Sequence, residues 1–399
     1  MKYFGVDVSK DSFNYFVMNE LYNEVMSGVF EMNSLGFEEF KRLLLEFKDS
    51  VVAMESTGNY HANLLAFLVS FKKEVCLVNP QLIKRFSQGT TLRKTKTDEV
   101  DAKIIAHFIA KNHELVPYFS PDNLDEIKVI ARAREDISKQ ISKAKTKFKQ
   151  HLNVVFPEII PMTNVYSSSI LNLLMLYPSA EALKKATVKE IKEAIAPKRG
   201  KSINLNANDI KELAKDSIGK ASTSLEKVIR LDIKTIEFLE ANLKEITDSL
   251  IEEIKKNNKE DMDILSSIKG ISDVTAAHVI AEIKDIKRFS TKSKLIAFAG
   301  TDPSIRQSGT SINSGGRISK KGSRTLRNYI FLIGQSLIIH NKHFKEYYNK
   351  KKEEGMPHRK AMIALCNKVL RIIHSLLTNK RYYDESINKG YESNIAVSA

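Results

Sequence analysis

Two apolar runs in this chain end on acids. Tyr3-Phe4-Gly5-Val6 leads into Asp7, and Val51-Val52-Ala53-Met54 leads into Glu55. Short apolar runs bounded by turn residues read as buried strands, so the chain must build a sheet whose strand ends carry carboxylates. Ser9-Lys10 turns the first run back into a second strand over 12–18, and Ser56-Thr57-Gly58-Asn59-Tyr60-His61 reads as a turn entering a helix. Both acids thus stand at carboxyl ends of strands, where open α/β sheets commonly place their sites.

A third element supplies two more acids. In Lys96-Thr97-Asp98-Glu99-Val100-Asp101-Ala102 and the helix that follows, positions 98, 101, 105 and 108 share one face, aligning Asp98 and Asp101 with Ile105 and Phe108. A structural reading stays open at this point. First-turn acids favour the helix macrodipole, Thr95 with Asp98 resembles a capping box, and a lone acid at a strand end can cap a turn. Together, Asp7, Glu55, Asp98 and Asp101 form a set of hard oxygen donors from separate elements. Two divalent ions about 3.5–4 Å apart need such a set, and Mg²⁺ with phosphodiester chemistry is the expectation. Without a cation the carboxylates would repel one another.

The chain divides into three expected regions. Residues 1–115 read as an α/β domain with strands near 2–8, 12–18, 22–30, 51–55 and 74–78 and helices near 34–48, 60–71 and 98–112. Hairpins first, then alternating strand and helix, fits a ribonuclease-H-like fold. Residues 116–260 read as all-α. A long helix over 122–155 and a second carrying Ile236, Leu239, Leu243, Ile246 and Leu250 have heptad spacing, which predicts a helical hairpin or coiled coil, or else a pair of core helices. Between them, 156–224 reads as short helices broken by Pro157, Pro161 and Pro178, with Pro197-Lys198-Arg199-Gly200-Lys201 as a solvated loop. In 261–399, the Gly270 turn between two helical stretches suggests a helix-hairpin-helix aiming backbone N–H groups at phosphate, or a plain αα-hairpin.

Charge narrows the partner. With 63 Lys and Arg against 48 Asp and Glu, the net charge of +15 favours a polyanion, and nucleic acid is the expected one. No membrane partner is expected: the best apolar run, 329–339, is shorter than the roughly 18 residues a span needs. The first strand contains Asp7 and does not read as a signal peptide, so a cytoplasmic protein is expected. Cys76 and Cys366 each lie in an apolar pattern and read as buried small hydrophobes, not a disulfide or zinc site. The nine histidines show no HExxH pairing, and His61 and His107 merely neighbour the acids.

A second informative segment lies far downstream. Between Asp302 and Glu346 there is no acid, while Arg306, Arg317, Lys320, Lys321, Arg324 and Arg327 are all basic. Glycines let a backbone approach phosphate closely, and arginines can grip its oxygens bidentately. The segment reads as a Ser/Gly-rich nucleic-acid-binding loop, and chemistry alone singles out no serine in it.

Gly5-Val6-Asp7-Val8-Ser9-Lys10, Glu55-Ser56-Thr57-Gly58-Asn59-Tyr60, Asn79-Pro80, the 96–102 motif and the Ser308-Gly309 pair, in that order, resemble the DEDD transposases of insertion sequences, relatives of Piv-type DNA invertases. The resemblance implies an amino-terminal RuvC-like domain in which Asp7, Glu55, Asp98 and Asp101 bind Mg²⁺, and a carboxy-terminal transposase domain in which Ser308 is the nucleophile. It also implies a structured guide RNA that pairs with donor and target DNA. The region from 115 to 261 is longer than in compact members of that family.

The expectation is therefore a Mg²⁺-dependent transposase that cleaves and rejoins double-stranded DNA through phosphoserine, acting as a dimer or tetramer because strand exchange needs two cleaved duplexes. The alternatives are a RuvC-like nuclease or Holliday junction resolvase that activates water, and a non-catalytic basic nucleic-acid-binding protein.

Overall fold

The structure, a computed structural model, describes residues 1–56, 60–90, 97–116, 118–119, 123–196, 205–308 and 312–385. It divides into two units, Met1–Asp122 and Asn123–Ala399.

The first unit is a mixed five-stranded sheet in the order β3-β2-β1-β4-β5. Strands β1 (Lys2–Val8), β2 (Ser12–Asn19) and β3 (Glu24–Glu31) form an antiparallel meander. β4 (Ser50–Glu55) then adds parallel to β1, and β5 (Val75–Val78) parallel to β4. Helices α1 (Ser34–Glu46), α2 (His61–Ser70), α3 (Pro80–Thr90) and α4 (Asp98–Asn112) complete the unit. The strands alternate their side chains between two cores. Phe4, Val6, Val52 and Met54 meet Phe40, Leu64 and Leu68 of α1 and α2, while Tyr3, Val51 and Ala53 meet Ala102, Ile105 and Ile109 of α4. This is the mixed sheet with flanking helices expected for residues 1–115.

The sequence reading assigns no helix to 80–90, and the structure adds α3 there. Pro80 occupies its first position, where a missing N–H breaks no helical hydrogen bond, and Asn79 Oδ1 accepts from the Gln81 amide at 2.9 Å. The cap of α4 also differs from expectation. Thr97 is the N-cap, its hydroxyl accepting from Val100 N at 3.3 Å, while Thr95 lies outside the described residues.

In the second unit, α5 (Asn123–Val155) runs antiparallel to α11 (Thr223–Ser266). Arg134 Nε donates to Thr247 Oγ1 at 2.8 Å, Lys145 pairs with Glu240 at 2.6 Å, and His151 meets Asp232 at 2.6 Å, so partner numbers fall along one helix as they rise along the other. Between the long helices come the short helices α6 (Ile159–Met162), α7 (Ser168–Leu176), α8 (Ala180–Lys185), α9 (Val188–Ala194) and α10 (Ala207–Lys215). They bury Ile170, Leu174, Ile191 and Ile210 against Phe148 and Leu152 of α5 and Ile233 of α11. The stretch 197–201 lies outside the described residues.

The opposite ends of α5 and α11 join a separate core with α12 (Asp273–Ile283), α13 (Lys292–Ala299), α14 (Arg324–His340), α15 (Lys342–Glu353) and α16 (His358–Asn379). At its centre His278 stacks on Tyr329 at 3.8 Å between ring centroids, and its Nε2 lies 2.8 Å from the Tyr329 hydroxyl and 3.4 Å from Arg134 Nη1. Burial, then the nearby Arg134 and Arg132, push the His278 pKa down to about 3, so the ring is neutral. Gly270 turns α11 into α12 with a φ of +110°, a conformation that disfavours any side chain. A Cβ there would sit 3.1 Å from Leu337 Cδ2, so this turn packs on α14.

The expectation that no apolar segment is long enough to cross a membrane needs correction. By length and composition α16 qualifies, with a mean hydropathy of 1.4 over its best window. Its Met362, Leu365, Val369, Leu370 and Ile373 are fully or almost fully buried in the core, which accounts for that composition. Cys76 and Cys366 are buried as expected, and burial pushes both thiols up to about 12.

Candidate active site

Register places the first two acids side by side. β1 and β4 pair in parallel from Lys2 with Ser50 through Val6 with Met54, so the next positions, Asp7 and Glu55, leave neighbouring strands at the same level. By alternation both belong to the face of Tyr3, Gly5, Val51 and Ala53, which is the face that α4 covers.

Helix α4 delivers the other two acids to the same end of that face. The Tyr3 ring meets His113, just beyond the end of α4, at 5.3 Å, and Gly5 faces Ala102 and Ala106 nearer its start. The helix therefore runs opposite to β1, and Asp7 lies level with its first turn, where Asp98 and Asp101 stand. Gly5 makes this crossing possible: a Cβ there would lie 2.2 Å from both the Ala102 carbonyl oxygen and the Ala106 nitrogen. Asp101 is half-buried beside the apolar stripe of Ile105 and Phe108, while Asp98 is exposed. Asp7 and Glu55 are half-buried as well. The strand exit after Glu55 is held by Ser56, whose amide donates to Val78 O at 3.0 Å.

Four carboxylates at one helix N-terminus feel two opposing effects. The dipole of α4 offers them partial positive charge, roughly half an elementary charge. Like charges also repel one another, and a bound cation would offset that repulsion. Among the described residues, no group of three or more His, Cys, Asp or Glu side chains is drawn together closely enough to hold a metal. The donor chemistry is of the kind Mg²⁺ takes: the acids of β1, β4 and α4 are hard oxygen ligands carried at the same end of one sheet face. Of the neighbouring histidines, His61 has a buried Nδ1 without a hydrogen-bond partner among the described residues. The His107 pKa is lowered by burial and then by Lys103 and Lys111.

The second candidate segment proves to be a hairpin and not a loop. β6 (Pro303–Ser308) pairs antiparallel with β7 (Ile312–Ile318), and Ser308 closes β6 opposite Ile312. Gly309 lies outside the described residues, and only the strand positions of Arg306 and Ser308 are described. The base of the hairpin is tied to the end of α13 and the start of α14. Ser319 N donates to Asp302 O at 2.9 Å, Lys320 N to Gly300 O at 3.1 Å, and Ser323 N to Phe298 O at 2.6 Å. Ser323 Oγ in turn donates to the buried Glu282 at 2.6 Å, and Glu282 pairs with Arg132 at 2.6 Å.

The basic residues divide into two groups. Arg317, Lys320, Lys321 and Arg324 occupy exposed positions around the hairpin base. Arg327 is half-buried and donates through Nη1 to the Ala299 carbonyl at 2.8 Å, an internal role that its place in a basic run did not reveal. Sequence reasoning also missed Glu282, Arg132 and Asp302, whose partners come from distant elements.

Acids ending β1 and β4 and opening α4 in one unit, and a basic hairpin in the other, are compatible with a DNA transposase. Family comparison is specific at both ends: a transposase model for the DEDD domain of IS110 elements matches residues 4–157, and the model for transposases of the IS116/IS110/IS902 family matches residues 262–349. The chain belongs to this insertion-sequence transposase family. It is 24% identical to an uncharacterized 44.8 kDa protein of insertion element IS116 from Streptomyces clavuligerus, over 83% of both chains. It is 22% identical to the pilin gene-inverting protein of Moraxella bovis, over 97% of this chain and 99% of that one. The mini-circle putative transposase for IS117 of Streptomyces coelicolor is 23% identical over 88% of this chain and 87% of its own. Among solved structures, T. thermophilus RuvC in complex with Holliday junction substrate covers 30% of this chain and 99% of its own, with 13% identity and a TM-score of 0.23.

Proposed function

We propose that this transposase cleaves and rejoins duplex DNA through a covalent serine intermediate, using Mg²⁺ held by Asp7, Glu55, Asp98 and Asp101. The observation that supports the reading is the β1–β4 register with the close passage of α4 over Gly5, which brings the acid-bearing ends of β1, β4 and α4 to one end of the sheet. The bound cation would neutralise charge developing on the scissile phosphate. The Ser308 hydroxyl attacks phosphorus, giving up its proton to water, and the bond from phosphorus to the 3′ oxygen breaks. That oxygen takes up a proton from water and leaves as a hydroxyl, and the phosphate stays esterified to Ser308. Attack by a 3′ hydroxyl of the exchanged strand reverses these changes and restores the serine, with no external energy source. Arg306, Arg317 and Lys320 hold phosphate oxygens during the transfer, and Lys321 and Arg324 contact the flanking backbone.

The partners of this reading are donor and target duplexes, a structured guide RNA, and further copies of the chain as a dimer or tetramer. The net charge of +15 supports the nucleic acids, and pairwise strand exchange supports the oligomer.

Recombination between donor and target plasmids, with the element's own noncoding RNA supplied, tests the carboxylates. Asp7→Asn is expected to reduce product by roughly a hundredfold or more while duplex binding persists, given the several kcal/mol that a catalytic metal supplies. Undiminished recombination by this variant would make the acids structural. Nicked products ending in free 5′ phosphate, without protein attached, would favour the junction-resolvase alternative.

A further inference from the structure

The middle of α5 is a second basic, acid-free stretch, beside the one between Asp302 and Glu346. From Ile137 to Pro157 there are five lysines and no acid. One of the five, Lys145, turns toward α11 and pairs with Glu240, and Lys139 pairs with Glu135 and Asp136 on its own helix. Lys143, Lys147 and Lys149 are exposed and have no ion-pair partner among the described residues. On a helical wheel, 139, 143 and 147 form an i, i+4, i+8 row pointing away from the face that buries Ile141, Phe148 and Leu152.

Such a row weakens the helix that carries it, because like charges at i, i+4 repel. The acidic side chains of α11 would be the natural compensation, yet the row faces away from them. The fold compensates Lys139 through Glu135 and Asp136 and gives Lys143 and Lys147 no acid among the described residues. Lys139 to Lys147 spans ~12 Å of helix, the axial length of about three to four phosphates on one DNA strand. Ser142, Thr146 and Gln150 on the same surface keep it polar, and none is large enough to block a backbone from lying against the lysines.

We propose that the outer face of α5, centred on Lys143 and Lys147, is a phosphate-backbone contact for duplex DNA, separate from the hairpin and from the carboxylate corner. The proposal rests on the transposase reading for the choice of DNA as the polyanion. It assigns the long helix a role in holding the substrate duplex without reading its sequence, since lysine ammonium groups neutralise phosphates as point charges.

The test compares the full-length chain with a Lys143→Gln, Lys147→Gln variant, measuring affinity for a mixed-sequence DNA duplex by fluorescence anisotropy across a salt series. Each lost phosphate contact lowers the slope of log affinity against log salt by about 0.9, so the double variant should lose about 1.8 from that slope. An unchanged slope would overturn the proposal, as would a loss confined to duplex RNA of the same sequence or a shift in self-association with DNA affinity intact. The lysines are exposed, so an unchanged thermal midpoint confirms that the variant is folded. If the wild-type chain forms no serine adduct, the catalytic reading fails, yet the slope comparison still decides the role of α5.

Discussion

Asp7 and Glu55 leave strands that are paired on both sides, whereas Ser308 ends a strand paired on one side only. The difference sets how each part of the site is held. β1 and β4 lie inside a five-stranded sheet with a core on either face, so the positions of their last residues follow from the packing of the whole unit. A two-stranded ribbon has little stability of its own. Its placement comes from the base, where backbone bonds to Gly300 and Phe298 and the Ser319–Asp302 pair join it to the helices. Metal ligands suit the first kind of support, since ligand positions must be fixed closely. A nucleophile that must reach a phosphate and later release it suits the second.

This contrast can be broken most forcefully at Gly5. Gly5→Ala inserts a methyl group into the backbone of α4, and overpacking of this kind costs about 1–3 kcal/mol. Stability and recombination should fall together, because the displaced helix carries Asp98 and Asp101. Retained activity with full stability, read by chemical denaturation and the plasmid assay, would mean that α4 need not cross β1 so closely.

A second prediction separates the units by pH. His278 is buried and neutral in the folded chain, with its pKa lowered to about 3, while the unfolded chain binds a proton near the ordinary value. The unfolded state therefore holds more protons between about pH 6.5 and 3, and stability must fall as pH falls through that window. The slope attributable to this one group is up to about 1.4 kcal/mol per pH unit. His278→Gln should flatten the acid limb for the Asn123–Ala399 unit, and an unchanged limb in urea melts across that range would remove His278 from the account. The smallest effect is expected at the cap of α4. Thr97→Ala should lower stability by about 1 kcal/mol, a change readable as a shift in denaturation midpoint. No shift would show that the Thr97 hydroxyl contributes nothing to holding the first turn.

The elements that carry the four acids were legible in the sequence because their signals are local: two apolar runs ending in acids and a helical face with Asp98 and Asp101 above Ile105 and Phe108. The hairpin was not, since Ser304 to Gly316 has little of the β-branched and aromatic content that marks strands. Helix α3 hid behind Pro80, which reads as a breaker unless it falls at a first position. Arg327 was read as a phosphate contact because its charge is visible in the sequence, while its carbonyl partner at Ala299 is not. The His278, Tyr329 and Arg134 cluster joins three helices over separations as long as 195 residues, beyond any local pattern.

The proposed reaction centres on a covalent bond between Ser308 and DNA. The direct measurement incubates the chain with Mg²⁺, guide RNA and end-labelled donor duplex, denatures the mixture, and maps any labelled protein band by peptide mass spectrometry. A DNA phosphate attached to Ser308, absent from Ser308→Ala and greatly reduced in Asp101→Asn, is the predicted result. Cleaved DNA with no attached protein, or an adduct that survives Ser308→Ala, would contradict it.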